Sequence, residues 1–306
     1  MQSAYITTLY ELLKSDPNVV SLLSDSGGNY DDMMANEMPD QCYNLGIAEN
    51  NQVGVAAGMA LRGLTPFVYA PGNFLAYRSY EFIRNDVCYQ NQNVKFAAMG
   101  SGTVFSTMGP SHHSTEDLAG LRALPNLTIL SPATPREAAA CVRAAYEIHG
   151  PVYIRLGKGG EPEFFDDSYT FTLGKAVRMT EGTDVAIFST GAILSEVMVA
   201  QEALRASGIQ AGVYNMPSIK PLDAQAILAA AEACKFVVTV EEHNIYGGLG
   251  GAVAEVMAEA GVGAKLKRFG LQDSFAKGYG TQADVRRNNG LDRDALVRGI
   301  RAFVER

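Results

Sequence analysis

The sequence predicts an α/β fold made of two parallel-sheet domains, and three observations predict it. Short β-branched, apolar runs alternate with segments of helical periodicity along the chain, the pattern of strands joined by crossover helices. The strand runs are continuously apolar rather than alternating, as strands buried on both faces require. The 306 residues exceed one ordinary domain, and the pattern breaks once, where glycine, proline and acids cluster over GKGGEPEFFDDSYTFTLGKAVR, residues 157–178.

The elements follow in order. MQSAYITTLYELLKSD is an amphipathic helix with no basic start, apolar stretch or cleavage signal, so no targeting segment is expected. Strands are expected at 18–24, 65–70, 93–99, 126–131 and 151–156, with helices at 47–62, 75–89, 115–123 and 135–147 between them. After the break come strands at 184–190, 211–216 and 236–242. Helices are expected at 192–206, 223–233, 248–260 and 292–304. The domain boundaries expected from this pattern are 1–165, a linker at 166–178, and a smaller domain at 179–306.

Composition narrows the function. The net charge of −8 offers no basic field for nucleic acid or an anionic membrane. Cys42, Cys88, Cys141 and Cys234 lack metal-binding spacing and read as reduced thiols. With no apolar run long enough for a bilayer, a cytoplasmic location is expected.

One acid stands out. Glu49 opens GIAENNQVGVAAGMALRG, residues 46–63, an otherwise small and apolar stretch. An acid in a first helical turn suits the helix dipole. A helix this apolar is buried on most sides, however, and a buried carboxylate needs a partner. The strand-to-helix turn before it lies where α/β sheets place ligands.

GIAEN, the LRG turn and the TPFVYA strand together resemble the pyrimidine-binding domain of thiamine diphosphate enzymes, in the branch of transketolase and 1-deoxyxylulose-5-phosphate synthase. The likeness continues through NFLAYRSYEFIRNDVCYQNQNVKF, MGPSHH, SPATPREA and PVYIRLGKGG. IKPLD and EEHNIYGGLGG are similar to the transketolase C-terminal domain. The match is collinear over nearly the whole chain.

The resemblance implies roles for particular residues. Glu49 would bond a ring nitrogen of the cofactor's aminopyrimidine and drive it toward its imino form. Phe74, Tyr77 and Tyr80, at steps of three and so on one helix face, either pack a core or match the aromatic surface around that ring. Asp25, in an SDSGG turn, matches an acid near the cofactor or is a turn former. His112 matches a histidine that faces the substrate and the reactive carbon, with His113 beside it. Arg155 and Lys158 are candidate substrate ligands, Lys158 standing where transketolases keep an arginine for the sugar phosphate. No residue is assigned to a metal.

Two departures matter. Met108 replaces an aspartate that recognises a donor hydroxyl, and Gly100 stands where a substrate-contacting histidine is usual, so a modified substrate is expected. The chain also has no Gly-Asp-Gly motif, which in this family helps hold the Mg2+ that anchors the cofactor's diphosphate. The resemblance therefore implies the C-terminal half of a split transketolase, with a separate N-terminal-type subunit supplying the diphosphate site in an α2β2 hetero-tetramer. The activity implied is transfer of a two-carbon ketol unit between carbonyl or sugar substrates. Two alternatives stay open: the β subunit of a 2-oxoacid dehydrogenase E1-type decarboxylase, and a non-catalytic regulatory subunit.

Overall fold

The computed structural model describes residues 1–25 and 34–305. The first domain holds α1 (Gln2–Ser15), β1 (Val19–Leu23), β2 (Cys42–Asn44), α2 (Glu49–Leu61) and β3 (Thr65–Pro71). An irregular helical stretch follows, with π-helical turns at Phe74–Arg78 and Ile83–Cys88 around a short α3 (Tyr80–Phe82). Then come β4 (Lys95–Met99), α4 (Asp117–Arg122), β5 (Thr128–Leu130), α5 (Pro135–Glu147) and β6 (Val152–Leu156). Residues 157–176 form no helix or strand. Beyond them lie β7 (Val177–Thr180), β8 (Val185–Ser189), α6 (Leu194–Ala206), β9 (Ala211–Asn215), β10 (Ser218–Lys220), α7 (Ala224–Ala233) and β11 (Phe236–Asn244). The chain continues through α8 (Leu249–Ala260), β12 (Lys265–Leu271), α9 (Gln282–Asn288) and α10 (Arg293–Val304).

The first sheet has seven strands in the order β10-β5-β6-β4-β3-β1-β2, and the second has five in the order β12-β11-β8-β9-β7. Both are parallel except at one edge, where β10 runs antiparallel to β5 and β7 antiparallel to β9. The central register places Val68 beside Phe96 and Phe96 beside Tyr153. All three are fully buried, as continuous apolar strands in a covered parallel sheet should be. One face is covered by α1 and α5, whose Leu9, Leu13, Ala138 and Val142 pack with Phe67 and Ile154. α5 starts where its residues dictate: Thr134 accepts from the Glu137 amide, Pro135 takes the first helical position, and Glu137 accepts from the Ala133 amide at 2.7 Å.

The two domains are not separate cores. One hydrophobic cluster joins Val53, Val68, Phe96 and Leu118 of the first domain to Phe188, Met216, Ile227, Leu249 and Val253 of the second. β10 crosses over outright and closes the first sheet. It was not expected, because three residues ending in a charge, followed by Pro221, do not read as a strand. β2 is also too short to show. β12 (KLKRFGL) is an edge strand; its Lys265 and Lys267 are exposed, while Arg268 donates to the Ile245 carbonyl at 2.8 Å. α9 (QADVRRN) lacks an apolar stripe and is set by the Thr281–Asp284 capping box.

Candidate functional site

Parallel strands send all their carboxyl-terminal loops to one edge. In the first sheet that edge gathers Asp25 after β1, Glu49 just beyond β2, Phe74 after β3, the segment 100–113 after β4 and Lys158 after β6. Glu49 is placed by helix periodicity. Glu49, Gln52, Val53, Ala56 and Ala57 form the buried stripe of α2, so the acid at its first position is turned inward and is 3% exposed. Gln52 fixes the helix to the sheet by donating to the Leu22 and Tyr69 carbonyls.

The partner of Glu49 within the chain is Arg78, whose Nη1 donates to the carboxylate at 3.1 Å. The same guanidinium lies over the Phe74 ring, 4.3 Å from its centroid, because the π-helical turn brings residues 74 and 78 to one side. The Phe74 ring also meets the His112 imidazole edge-on, with centroids 5.2 Å apart. His112 in turn faces Phe105 at 6.3 Å. The Lys158 ammonium lies 5.4 Å from the Phe105 centroid. Glu49, Arg78, Phe74, His112, Phe105 and Lys158 thus form one unbroken row of contacts from a buried acid to an exposed cation.

The segment after β4 is shaped by glycines. Gly100 has φ +80, and a Cβ there would lie 2.1 Å from the Phe105 ring, so no side chain fits and the phenyl ring fills the space. Gly109, at φ +75, turns the chain into the short 3-10 turn Pro110–His112. That turn presents His112 half-exposed, with its Nδ1 3.0 Å from the Ser111 hydroxyl. Met108 is 53% exposed.

The second domain grips this segment. Glu242 accepts from the Thr103 amide at 3.1 Å and from the Thr103 hydroxyl. Ser106 donates to the Gly280 carbonyl at 2.8 Å, and Tyr279 packs on Gly109. Glu242 is itself held by Arg286 at 2.8 Å and by Gln282. Burial pushes the Glu242 carboxyl up, but the Arg286 guanidinium and the bonds from Arg286, Thr103 and Gln282 outweigh burial and hold it below the usual glutamate range.

Two candidate substrate ligands are corrected by their surroundings. Arg155 is 2% exposed and its guanidinium is committed within the chain, to Asp117 at 2.9 Å, the Ser114 carbonyl at 2.6 Å and the Glu242 carbonyl at 3.1 Å. It locks the two domains together rather than facing the cleft. His113 is 2% exposed, and neither ring nitrogen makes a hydrogen bond of normal geometry. Burial lowers its pKa, so it is a neutral packing residue.

The aromatic triplet does share a face, but each ring has its own partner along residues 112–120. Phe74 meets His112, Tyr77 bonds both the carboxylate and the amide of Glu116, and Tyr80 donates to the Gly120 carbonyl. Tyr77 remains 44% exposed. Asp25 adopts φ 52 and pairs with Asn44, whose Oδ1 also accepts from the Gly46 amide. Ser26, Gly27 and Gly28 of its SDSGG turn lie outside the described residues. Arg78, Phe105 and Glu242 were not singled out from the sequence. Arg78 carried a usable signal, a cation four residues after Phe74 in an aromatic helical stretch.

Glu49 and the Phe74 face fit a planar nitrogen heterocycle: a buried carboxylate wants a donor, and an aromatic face beside it wants a flat ring. Among the described residues no group of His, Cys, Asp and Glu could hold a metal ion, and no helix is long and apolar enough to cross a membrane.

Comparison with known proteins gives the family of both domains. Residues 1–161 match the family "Transketolase, pyrimidine binding domain" and residues 174–295 match "Transketolase, C-terminal domain". The chain is 39% identical over 261 residues to one of the subunits of an apulose-4-phosphate transketolase from Actinobacillus succinogenes, covering 85% of this chain and 84% of that one. It is 32% identical over 307 residues to a 6-deoxy-6-sulfo-D-fructose transketolase subunit of a Clostridium species, covering 100% and 95%. A solved structure described as "split gene transketolase, inactive beta4 tetramer" superposes with a TM-score of 0.89 at 37% identity, covering 99% of this chain and 97% of that one. The chain therefore belongs to the transketolase family, as a subunit carrying the pyrimidine-binding and C-terminal domains of a split, thiamine diphosphate-dependent enzyme.

Proposed function

We propose that this chain is the pyrimidine-site half of a two-subunit cytoplasmic transketolase that moves a two-carbon ketol unit between carbonyl compounds, with a modified sugar among its substrates. The observation that carries the reading is the buried Glu49 carboxylate beside the Phe74 ring and His112 at the edge of the sheet. When bound, thiamine diphosphate supplies an electron sink for the transferred unit. This chain's residues do the rest. Glu49 holds a proton at the pyrimidine nitrogen, inside a site dry enough to control it. Phe74 offers the stacking face, with Tyr77 and Tyr80 bracing the segment that carries His112, and Asp25 borders the turn before α2. His112 donates to a substrate oxygen at the mouth, and Lys158 pairs with an anionic group.

The substrate argument rests on Met108 and on the filled space at Gly100. The wall that would otherwise read sugar hydroxyls is a thioether and a phenyl ring, which favours a donor lacking a hydroxyl or carrying another group in its place. The 6-deoxy-6-sulfo-D-fructose named for one of the relatives is a sugar of that kind, a sulfo group standing where a hydroxyl would be.

The diphosphate and its Mg2+ would be held by a partner subunit with a Gly-Asp-Gly motif, in an α2β2 assembly. Ile47, Tyr77 and Met108, 72%, 44% and 53% exposed at this same edge, suit an apolar docking face. The relatives named are transferases, so the decarboxylase and regulatory alternatives gain nothing from them. The test is reconstitution. The chain alone should be inactive, and adding the partner, thiamine diphosphate and Mg2+ should transfer a ketol unit without releasing CO2. Transfer by the chain alone, or CO2 release from a 2-oxoacid, would overturn the proposal.

A further inference from the structure

Glu49 and Phe74 are the two residues to which the proposed function assigns the cofactor's pyrimidine, and in this chain both are engaged by Arg78. The guanidinium lies over the Phe74 ring at 4.3 Å while its Nη1 donates to Glu49 at 3.1 Å. A guanidinium is flat, delocalised and edged with N–H donors, the same outline that an aminopyrimidine presents to a carboxylate and a phenyl face. We propose that Arg78 is a built-in stand-in for the pyrimidine ring, occupying the cofactor's place on Glu49 and Phe74 until the cofactor displaces it. The inference rests on the proposed function above.

The asymmetry of exposure makes the displacement feasible. The Glu49 side chain is 3% exposed and that of Arg78 is 50% exposed, so the acid is fixed while the arginine reaches in from solvent and can swing back out. The π-helical turn sets the reach, stacking residue 78 on residue 74 of the same turn. The arrangement also answers a problem the chain would face without its cofactor. A buried carboxylate with its partner removed is strongly destabilising, and Arg78 supplies a partner whenever the ring is absent. The consequence is competition. Every cofactor molecule that binds must break the Arg78 contacts, so Arg78 weakens cofactor binding while keeping the empty chain intact.

The test uses the full chain and the pyrimidine half of the cofactor, 4-amino-5-hydroxymethyl-2-methylpyrimidine, titrated by calorimetry. Arg78→Ala should bind it about tenfold more tightly than the unmodified chain, the equivalent of about 1.4 kcal/mol. Arg78→Lys, which keeps the charge but loses the plane, should fall between. A residue that only supported the fold would give weaker binding when removed. Equal binding, weaker binding by Arg78→Ala, or no detectable binding by either protein would overturn the proposal. Glu49→Gln and Phe74→Ala separate this from the parent reading. If both leave fragment affinity unchanged, the pyrimidine site itself is wrong. If both weaken it while Arg78→Ala changes nothing, only the stand-in role fails. Urea unfolding of Arg78→Ala checks that the variant is folded, and Arg78→Gln repeats the measurement on a side chain of intermediate size.

Discussion

Glu242→Gln tests how the second domain holds the segment that carries His112. The carboxylate is 3% exposed and accepts from the Thr103 amide and hydroxyl, from Gln282 at 2.9 and 3.0 Å, and from Arg286 at 2.8 Å. Arg286 is 7% exposed, and its other carboxylate partner, Glu196, is 3.5 Å away and 23% exposed. Neutralising Glu242 leaves a buried guanidinium poorly compensated, which costs about 3–5 kcal/mol. At about 2–4 °C per kcal/mol the melting temperature should fall by roughly 6–20 °C, measured by calorimetry. The pH dependence follows from the Glu242 pKa, which is lower in the folded chain than its ordinary value of 4.5. The unfolded chain binds the proton more readily, so this contribution is complete above about pH 4.5 and is lost as pH falls through the folded pKa. The variant should lack that part of the acid sensitivity. Arg286→Met should couple to it, the double variant costing less than the two singles combined. A melting temperature within 2 °C of the parent, or additive single effects, would refute this account of the clamp.

The remaining predictions concern the site. Glu49→Gln should keep the fold, since glutamine preserves the volume and Arg78 is half-exposed, and should lower kcat of the reconstituted enzyme by about 10²–10⁴. Near-parental turnover would exclude the proton-holding role. Met108→Asp should raise kcat/KM with unmodified ketose phosphates relative to the parent chain; no gain removes the thioether from the specificity argument. Gly100→Ala should cost about 1–3 kcal/mol in urea unfolding, because its Cβ would strike Phe105 and its φ of +80 is unfavourable for alanine. A neutral effect would mean that the phenyl ring is not fixed there.

The sheet and most helices were legible because each depended on its own residues. The apolar runs of β3, β4, β6, β8, β9 and β11 name themselves. Glu49 was legible because an acid opening a small, apolar helix is locally anomalous. What escaped depended on distant partners. Glu242 looks like one acid of EEH until Thr103 and Arg286 close on it from far along the chain. Arg155 looks like a cation in a glycine-rich loop until Asp117 buries it. β10 is a strand only because β5 offers it an open edge. Arg78 escaped because three-step spacing draws attention to the aromatics, whereas its partners are Phe74 four residues back and Glu49 on a different helix.

The most direct measurement is a crystal structure of this chain assembled with its partner subunit, thiamine diphosphate and Mg2+. The Glu49 carboxylate should lie within hydrogen-bond distance of the pyrimidine ring nitrogen, with the ring stacked on Phe74 and Arg78 turned to solvent. A cofactor bound elsewhere, or Glu49 still paired with Arg78 while the cofactor is bound, would contradict the account.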